Sequence, residues 1–525
     1  MITSPPAQAV AAARVCAQRG VRALIVTATG FDAAAGRALL ETCHAAGMRL
    51  LGPGSLGVAN PGASGNPGGF GAVLSDAPIT VGHTGVAVQS GGVGLALLSH
   101  LARLGIGIST FAGVGEKYDV SANDLLMHWE NDPETRLGLL HVESFGNPRK
   151  FARTARRLSR RIPLLAVDPE QSPSQARTAL YAQAGITAVP SLSALVAAAA
   201  LLACQPAPPG KRVAVIGNTR GMVGLTVQAF INAGLDVVTA VNLTPGADSR
   251  SLGRAMVAAA AADGCDALVV ALAPVAGAVS DGESDQPLIS VETPMTVPVL
   301  AVLAGQAQTI TVAQGGTGFP AVYYNDAAVA AAALAAAVNA TQRQYVVDGP
   351  PSEPAGIDRP AARAVIEGCL HTAPQGRRLR PAERTALLRA FQIDAVHRPL
   401  PPAALRTGAV TVTAWQDQVF GPVLTCARDG DPVPGPALLA PAGAVDLDSL
   451  ARCVSGRPES PVAGLTDLLS RVGAIVDICP QVAAVRLTIS LIDSRAVAVK
   501  GADVDIAPAE RPDPYLRRLR RAPVG

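Results

Sequence analysis

Apolar runs rich in Val, Ile and Leu alternate with segments rich in Ala and Leu through residues 1–340. The runs are short and bounded by Gly and Pro, as buried strands are, whereas the segments between them have the pattern of helices. Such alternation is typical of βαβ units and parallel sheets. It predicts strands, each followed by a turn and a helix, in VRALIVTA, MRLLGPG, TGVAVQS, LGLLHVES and IPLLAVD.

Two stretches rich in Pro and Gly divide the chain, at residues 206–210 and 348–356. After the first, KRVAVIGNTRGMVGLTVQAF repeats the order of strand, glycine-bearing turn and helix found in TGVAVQSGGVGLALLSHL. After the second, RPAARAVIEGCL and RPAERTALLRAFQI are predicted to form short amphipathic helices, and residues 461–476 a further helix. The sequence therefore predicts two similar α/β units and a smaller α+β unit behind them.

The amino-acid composition indicates which residues form the cores and which classes of ligand are expected. Of the 525 residues, 49% are hydrophobic but only 3% are aromatic, so the cores must consist of Ala, Val, Leu and Ile. The stretch 327–340 is nearly all Ala and is predicted to be a buried helix. A net charge of +3 offers no electrostatic footprint for nucleic acid or an anionic membrane. A small-molecule ligand is the expected partner.

The chain has no sequence signal for a membrane or an oxidising compartment. No apolar run reaches the ~18 residues of a membrane span, and the N-terminal residues lack the basic and apolar regions of a signal peptide. The 8 cysteines are scattered singly without CxxC, which argues against zinc and against a disulfide framework. We therefore expect a cytoplasmic protein with reduced thiols and no bound metal.

Two glycine turns are candidate phosphate sites. Gln89, Ser90, Gly91 and Gly92 lie where a strand ends and a helix begins, so free backbone N–H groups and the helix dipole would attract an anion. The equivalent place in the second unit is occupied by Asn218, Thr219, Arg220 and Gly221. The alternative is a tight strand-to-helix turn without a ligand. Neither turn has the Lys-Ser/Thr of a P-loop or a full GxGxxG.

Four histidines are candidate catalytic groups. His83 in VGHTGVAVQSGG is either a catalytic histidine or the first residue of a strand. His100 and His128 occur in helical patterns, where a histidine usually has no catalytic role. His141 precedes Glu143 on one strand and has a carboxylate close by, so it remains an alternative.

The segments in order resemble the NDP-forming acyl-CoA synthetases, the family of ADP-forming acetate–CoA ligases related to succinyl-CoA synthetase. The residues that carry the resemblance are GMRLLGPGSLGVANP, VAVQSGGVGLALLSHLARLGIGISTFAGVGEKYDVSANDLLMHWENDPET, HVESFGNPRKFARTARRLSRRIPLLAV, AGITAVPSLSALVAAAALL, KRVAVIGN, NLTPGADS, WQDQVFGPV, and DLLSRVGAIVDICPQVAAVRL with DPYLRRLR. The segment NPRKFARTARRLSRR is similar to actinobacterial members. Its Arg153–Arg161 part is expected to be a solvated helix face, with a nucleotide phosphate as the alternative.

The resemblance implies an α/β architecture of four domains. These are a truncated Rossmann-like CoA-binding domain (1–75), two flavodoxin-like domains (76–205 and 211–347) and a reduced ATP-grasp-like domain (358–525). The family forms acyl-CoA from acid, CoA and ATP through an acyl phosphate and a phosphohistidine. It implies that Glu143 is the carboxylate that orients this histidine, that the two turns hold the phosphoryl group, and that Ser55 of GPGSLG lies at the CoA site. The register places His83 at the start of a strand, ~23 Å from the turn.

Several groups that the family needs are missing here. The segment AVDPEQSPSQARTALYAQAGITAV contains no histidine at the place of the phosphohistidine. The lysine-bearing segment expected between FQIDAVHRPL and TVTAWQDQVFGPV is reduced to a few residues. Thr488 and Lys500 occupy the positions of the metal ligands, and a charged lysine cannot hold Mg²⁺. Asp503 and Asp505 are the nearest substitutes. Gly54 replaces the family's Asn, and the front of the CoA domain is absent.

We therefore expect a catalytically degenerate acyl-CoA synthetase-like protein, a pseudoenzyme that acts as a binding or regulatory module. Its expected ligand is CoA, acyl-CoA or a phosphate metabolite, and ATP with Mg²⁺ is not expected. A protein partner, either a separate subunit or an acetyltransferase, and an oligomeric state are also expected. The alternative is an active ADP-forming acetate–CoA ligase that works with a partner subunit. A third hypothesis is a marginally folded, pseudogene-like product.

Overall fold

The computed structural model describes residues 1–62, 68–168, 174–261, 264–274, 295–313, 318–345, 354–394, 409–430, 435–455, 463–492 and 497–509. Four sheets lie in this part of the chain. In the same residues, no helix is both long enough and apolar enough to cross a bilayer.

The first sheet is a short parallel pair near the N-terminus. The strands predicted in VRALIVTA and MRLLGPG are present as β1 (Ala23–Ile25) and β2 (Arg49–Leu51). They are accompanied by α1 (Pro6–Gln18) and α2 (Ala33–Ala45), which pack on each other. Asp32 caps α2 by accepting a hydrogen bond from the Ala35 N–H at 2.7 Å.

The second sheet has seven strands in the order β4-β3-β6-β5-β7-β8-β9. Its parallel strands are buried because helices cover both faces, which explains their nearly continuous apolar sequences. The strands are β3 (Gly57–Asn60), β4 (Phe70–Val73), β5 (Val81–Val88), β6 (Ile108–Gly113), β7 (Leu137–His141), β8 (Leu164–Val167) and β9 (Thr187–Val189). The helices are α3 (Gly91–Arg103), α4 (Ala122–Asn131), α5 (Pro148–Ser159), α6 (Gln175–Gln183) and α7 (Leu192–Cys204).

Strands β3 and β4 fall within the predicted 1–75 domain, yet they pair with the second sheet. β3 runs antiparallel to β6, and β4 runs antiparallel to β3. The Ser55 hydroxyl donates to the Gly113 carbonyl at 2.7 Å, which fixes the turn that brings the chain to this edge. The predicted boundary at residue 75 therefore lies later than the point where the chain enters the second sheet. The division into four domains otherwise stays a prediction.

The third sheet has six strands in the order β11-β10-β12-β13-β15-β14. Only β14 is antiparallel to its neighbour. The strands are β10 (Arg212–Gly217), β11 (Asp236–Asn242), β12 (Ala267–Leu272), β13 (Val299–Leu303), β14 (Ile310–Ala313) and β15 (Ala321–Tyr324). The helices are α8 (Arg220–Asn232), α9 (Ser249–Ala260) and α10 (Ala327–Gln342), and the buried face of α10 confirms the helix predicted at 327–340.

The two α/β units share one core. Helices α3 and α7 lie on one sheet and α8 and α10 on the other, and side chains of all four join a single hydrophobic cluster. Alanine side chains let α7 and α10 approach closely, which suits a chain with few aromatic residues. The buried Tyr324 hydroxyl donates to the Ala197 carbonyl at 2.9 Å and so links β15 to α7.

The fourth sheet is antiparallel, with the order β16-β21-β20-β17-β18-β19. Its strands are β16 (Arg377–Arg378), β17 (Val410–Asp417), β18 (Gly421–Arg428), β19 (Ala437–Leu439), β20 (Val482–Leu491) and β21 (Val497–Ile506). Its helices are α11 (Arg359–Thr372), α12 (Pro381–Ala390), α13 (Ala444–Ser455) and α14 (Ala463–Ile478). This layer confirms the predicted α+β unit and the predicted helices. Its assignment as an ATP-grasp remnant stays a prediction.

The α+β unit packs against the second sheet through α6. The Gln183 side chain donates to the Leu439 carbonyl at 3.1 Å and accepts from the Leu439 N–H at 2.7 Å. Phe420 lies in the same hydrophobic cluster as Phe145 and Tyr181. The contact brings the α+β unit next to the loop that follows β7, where Glu143 lies.

Candidate functional site

The turn before α3 is open on its outer side. Ser90 is the N-cap residue with extended dihedral angles, and its side chain makes no capping hydrogen bond. A Cβ atom built on Gly91 would meet nothing within 4 Å, so packing does not explain why glycine stands there. The first N–H groups of α3 have no partner within the helix, which makes this turn suitable for an anion.

Gln89 faces inward rather than toward the turn. Its side-chain oxygen accepts from the backbone N–H groups of Glu143 at 3.1 Å and Ser144 at 3.3 Å. Its amide nitrogen donates to the Ser144 hydroxyl at 3.2 Å. Gln89 therefore joins the carboxyl ends of β5 and β7, and its predicted phosphate contact depends on its backbone position alone.

The turn before α8 repeats this arrangement. The Asn218 side chain donates to the Ala273 carbonyl at 2.8 Å and accepts from the Ala273 N–H at 2.9 Å. Thr219 is the N-cap of α8 and makes no side-chain capping bond, while Arg220 and Gly221 are exposed. The two predicted turns thus each consist of a buried amide that binds the neighbouring loop and an exposed helix start.

Glu143 lies on a loop that is held from two sides. Gln89 binds its N–H, and the Arg177 guanidinium donates to the carbonyl oxygens of Val142 at 3.0 Å and Glu143 at 2.9 Å. The Glu143 side chain itself is exposed. The loop therefore presents a solvent-facing carboxylate from a fixed backbone.

Arg177 was missed in the sequence. It belongs to α6, in the segment that lacks the histidine, and only 4% of its surface is exposed. Its guanidinium lies 5.4 Å from the ring centre of Phe145 and 6.0 Å from that of Phe420, and its Nε lies 3.9 Å from Asp168 Oδ1. Cation–π contacts of this kind stabilise a buried guanidinium. A lone arginine in a short helix carries no sequence signal for burial.

Lys117 was also missed, although it lies in the GVGEKYDV segment. It is only 3% exposed, and its ammonium donates to the carbonyl of Ser144 and to the Ser144 hydroxyl, the latter at 3.1 Å. Burial lowers the pKa of Lys117 to about 7; the Glu143 carboxylate opposes this shift and Arg177 adds to it. The charged form of Lys117 is thus disfavoured relative to that of an exposed lysine.

His141 lies at the end of β7. It is 4% exposed, and its Nδ1 has no hydrogen-bond partner among the described residues. Burial lowers the pKa of His141, and the Glu143 carboxylate opposes this shift. The structure therefore places the histidine that the sequence left as an alternative in the interior beneath Glu143.

Lys117 and His141 line a narrow pocket, here called the Lys117 pocket. The cavity between its walls is about 20 Å³. The polar side chains in the wall are Gln89, Lys117, Ser121, Asn123, His141 and Ser144, and the apolar ones include Ala87, Val114, Ala122, Phe145 and Phe151. The Asn123 Oδ1 atom is buried there without a partner among the described residues. Such unpartnered buried polar atoms are uncommon in folded proteins.

The other three candidate histidines do not line this pocket. His83 lies near the start of β5, where its Nδ1 is 2.8 Å from the Glu134 carbonyl, so the strand position predicted for it is confirmed. His100 lies in α3, 2.8 Å from an Arg103 nitrogen, and His128 lies in α4, 3.5 Å from the Thr110 hydroxyl.

Ser55 is engaged within the fold. It is buried, and its hydroxyl binds the Gly113 carbonyl and accepts from the Gly57 N–H at 2.9 Å. Gly54 has a φ of 66°, a backbone conformation that suits glycine better than the family's Asn. The predicted CoA contact of Ser55 remains a prediction.

Asp503 and Asp505 are ion-paired. Arg378 lies 3.4 Å from Asp503 Oδ1 and 3.0 Å from Asp505 Oδ1. Thr488 lies in β20 and Lys500 is exposed in β21. No cluster of three metal-ligating side chains occurs among the described residues. The reduced lysine segment and the closing DPYLRRLR lie outside the described residues.

The sequence predicts a solvated arginine face on α5, but the structure shows that some of these arginines are paired. Arg156 pairs with Asp446 of α13 at 2.9 Å, because α5 lies against the α+β unit. Arg157 pairs with Glu130 of α4 at 2.8 Å. Arg153 alone of these three is exposed without such a pair among the described residues.

The comparison with protein families matches residues 81–186 to the succinyl-CoA ligase like flavodoxin domain. This range contains the Ser90 turn, Lys117, His141, Glu143 and Arg177. The alpha subunit of acetate–CoA ligase [ADP-forming] I from Pyrococcus furiosus is 26% identical over 242 residues, which are 42% of this chain and 51% of that subunit. Residues 81–186 therefore match a succinyl-CoA ligase like flavodoxin domain, and the chain is similar to ADP-forming acetate–CoA ligases.

Another curated relative and a solved structure show the same similarity. Acetate–CoA ligase [ADP-forming] from Methanocaldococcus jannaschii is 24% identical, over 41% of this chain and 33% of its own length. The chain thus spans about half or less of these curated relatives. Dinucleotide-forming acetyl-coenzyme A synthetase 1 from Ca. Korarchaeum cryptofilum, solved with phosphate and ADP, has a TM-score of 0.55 at 20% identity, covering 65% of this chain and 82% of that chain. This likeness shows the fold.

Proposed function

We propose that this acyl-CoA synthetase-like protein is catalytically degenerate and acts as a binding or regulatory module for CoA, acyl-CoA or a phosphate metabolite. The observation that carries the proposal is the structural role of Arg177. In the segment where the family has its nucleophilic histidine, this chain has a buried arginine that holds the loop backbone of Val142 and Glu143. We propose that this segment has a structural role in place of phosphoryl transfer.

The geometry of the Ser90 turn supports the proposal that ligand binding is retained. The Ser90 turn is open, with free N–H groups at the start of α3, and the Gly91 side has room for an oxyanion. The adjacent loop is held by Gln89 on its other side. We propose that this turn and its counterpart at Asn218, Thr219, Arg220 and Gly221 contact the phosphate groups of the ligand.

The α+β unit supports the loss of catalysis. Lys500 brings a positive charge to a position where the family has a metal ligand. Arg378 neutralises the carboxylates of Asp503 and Asp505, which are the nearest alternatives. Mg²⁺ requires oxygen ligands with free lone pairs and loses affinity beside fixed cations. We propose that the unit has a structural or partner-binding role and does not use ATP with Mg²⁺.

Thermal-shift titration tests the proposal. A ligand that binds only the folded chain stabilises it by about 2.7 kcal/mol at 100 times its Kd. We expect a saturable rise in melting temperature with CoA, acetyl-CoA or phosphate. Gly91→Asp should abolish the rise by placing a carboxylate at the turn, whereas the matched Gly91→Ala variant should keep it. If none of these compounds shifts the wild-type chain, ligand binding at the turn is refuted.

The second candidate is an active ADP-forming acetate–CoA ligase that is completed by a separate subunit. It is favoured by the Pyrococcus furiosus relatives, which are named as alpha subunits. It requires a histidine on this chain or its partner to take up phosphate. An acid-labile, base-stable phosphoryl label transferred from ATP to the purified chain would support this candidate and would overturn the proposal that the protein is catalytically degenerate.

A further inference from the structure

A large cavity lies at the edge of the second sheet opposite the Ser90 turn. Its wall includes the start of β5, the start of β7 and the segment between α3 and β6, and its volume is about 700 Å³. The Ser90 turn follows the other end of β5, roughly 23 Å from His83 in an extended strand. This cavity, here called the seam cavity, is therefore separate from the site described above.

The seam cavity lies between the two α/β units. From the second-sheet unit, Arg103 at the end of α3 and Arg136 just before β7 line it. Leu202 of α7, Val312 of β14 and Phe319 of the loop before β15 provide an apolar wall. One part of the wall is thus cationic and another part is apolar.

We propose that the seam cavity binds a phosphate monoester with an apolar or aromatic body, the phosphate contacting Arg103 and Arg136 and the body contacting Phe319. This inference goes beyond the proposed function, because it concerns the opposite edge of the sheet. It does not depend on whether the Ser90 turn binds a ligand.

The positive charge of the seam cavity is not balanced within its wall. No Asp or Glu side chain is among the described residues that line it. The Arg136 guanidinium makes no hydrogen bond or ion pair with the described part of the chain, and an Arg103 nitrogen lies 2.8 Å from His100 Nδ1. Burial and the nearby Arg103 lower the pKa of His100 and so favour its neutral form. The Glu134 carboxylate lies outside the lining, 3.7 Å from His83 Nδ1.

Two guanidinium groups favour a phosphate monoester over a carboxylate. A phosphate monoester carries a charge of about −1.5 to −2 at pH 7 and has three terminal oxygens that accept hydrogen bonds. A carboxylate has a single charge and two oxygens. Guanidinium groups bind phosphate through pairs of parallel hydrogen bonds, so Arg103 and Arg136 are suited to one phosphate.

The apolar wall and the volume require a ligand with a body. Phe319 is 40% exposed, and an apolar group against it, Leu202 and Val312 would remove apolar surface from water. The volume of about 700 Å³ lies within the range of about 300 to 1,000 Å³ that is usual for small-molecule sites. Inorganic phosphate would leave most of this space, and the apolar wall, uncovered.

The seam cavity is held open by the fold itself. The Gln205 side chain donates to the Pro320 carbonyl at 2.8 Å and accepts from the Val299 N–H at 2.8 Å, which fixes the end of α7 to the third-sheet unit. A preformed wall lowers the entropic cost of binding. Burial raises the pKa of the Cys204 thiol in the wall to about 11, so this group carries no negative charge that would repel an anion.

Isothermal titration with phenyl phosphate tests the proposal, with inorganic phosphate, phenol and benzoate as separate arms. The full chain is used as wild type and as Gly91→Asp, which removes anion binding at the Ser90 turn. We expect saturable binding of phenyl phosphate to both, and binding of the other three compounds to Gly91→Asp that is weaker by about tenfold or more.

Substitutions in the Gly91→Asp chain locate the ligand. Arg103→Gln and Arg136→Gln should each weaken the binding of phenyl phosphate by about tenfold or more, whereas Arg153→Gln, the same change at an exposed arginine of α5, should not. Phe319→Ser should weaken the binding of phenyl phosphate and leave that of inorganic phosphate unchanged.

The inference is overturned if phenyl phosphate does not bind the Gly91→Asp chain, or binds it no better than inorganic phosphate, phenol or benzoate. Equal affinities of the Arg103→Gln, Arg136→Gln and Arg153→Gln chains would also overturn it. If acetyl-CoA still raises the melting temperature of the wild-type chain in these cases, the proposed function stands without the seam cavity.

Discussion

Lys117→Met removes a buried cation and keeps a side chain of similar length. Lys117 is only 3% exposed, and its pKa falls from 10.5 to about 7 in the folded chain. The unfolded chain therefore binds more protons than the folded chain between about pH 7 and about pH 10.5. The cost of burying the charge is fully present below about pH 7 and is relieved as the pH rises through this window.

The expected size of the effect follows from these pKa values. Each pKa unit corresponds to about 1.4 kcal/mol, so raising the pH from about 7 to about 9 should stabilise the wild-type chain by about 2 kcal/mol through Lys117 alone. Other groups contribute in this range, among them the thiol of Cys426, which titrates near pH 9 in the unfolded chain whereas burial raises its pKa to about 12 in the folded chain. These groups are common to both chains and cancel in the difference between wild type and variant.

Urea denaturation at pH 7 and pH 9 measures that difference. The wild-type chain should gain about 2 kcal/mol relative to Lys117→Met on going to the higher pH. Lys211→Met is the control, because Lys211 is exposed and its removal should leave the pH dependence unchanged. Parallel pH dependences of wild type and Lys117→Met would refute the burial of a lysine with a lowered pKa.

Three further predictions concern the framework of the site. Arg177→Met should destabilise the chain by about 3 to 5 kcal/mol in chemical denaturation, because the carbonyls of Val142 and Glu143 lose buried charged donors. The control Arg153→Met, at an exposed arginine, should change the stability little, and equal effects of the two variants would contradict the role of Arg177. Gly94→Ala should lower the free energy of unfolding by about 1 to 3 kcal/mol, because the new Cβ would lie 2.8 Å from Leu56 Cδ2. Gly91→Ala is the control, because a Cβ there meets open space, and a larger loss of stability from Gly91→Ala would refute the open turn. Gln183→Ala should speed proteolysis between the α+β unit and the rest, because both hydrogen bonds to Leu439 are lost, and an unchanged cleavage rate would count against this contact.

Local patterns were sufficient to predict the strands and the two turns. The apolar run before Ser90 and the glycines after it specify β5, the turn and α3, because buried parallel strands and helix starts have strong local signals. The strand register also placed His83 away from the turn. The buried helix at 327–340 followed from its composition alone.

The interior of the site could not be predicted in this way. Gln89 contacts Glu143 and Ser144 across two strands, and the burial of Lys117 depends on the loop after β7, which is distant in sequence. Arg177 is buried because Phe420, from the α+β unit, lies near its guanidinium. The pairing of β3 with β6 is similarly nonlocal. Long-range contacts of this kind leave no periodic signal in the local sequence.

Equilibrium dialysis of the purified chain against acetyl-CoA, with ADP and phosphate present, tests the central claim most directly because it reports binding and conversion together. The account predicts saturable retention of acetyl-CoA by the wild-type chain, loss of retention in Gly91→Asp, and no conversion to acetate, CoA and ATP. Absence of retention, or formation of ATP by the chain, would contradict it.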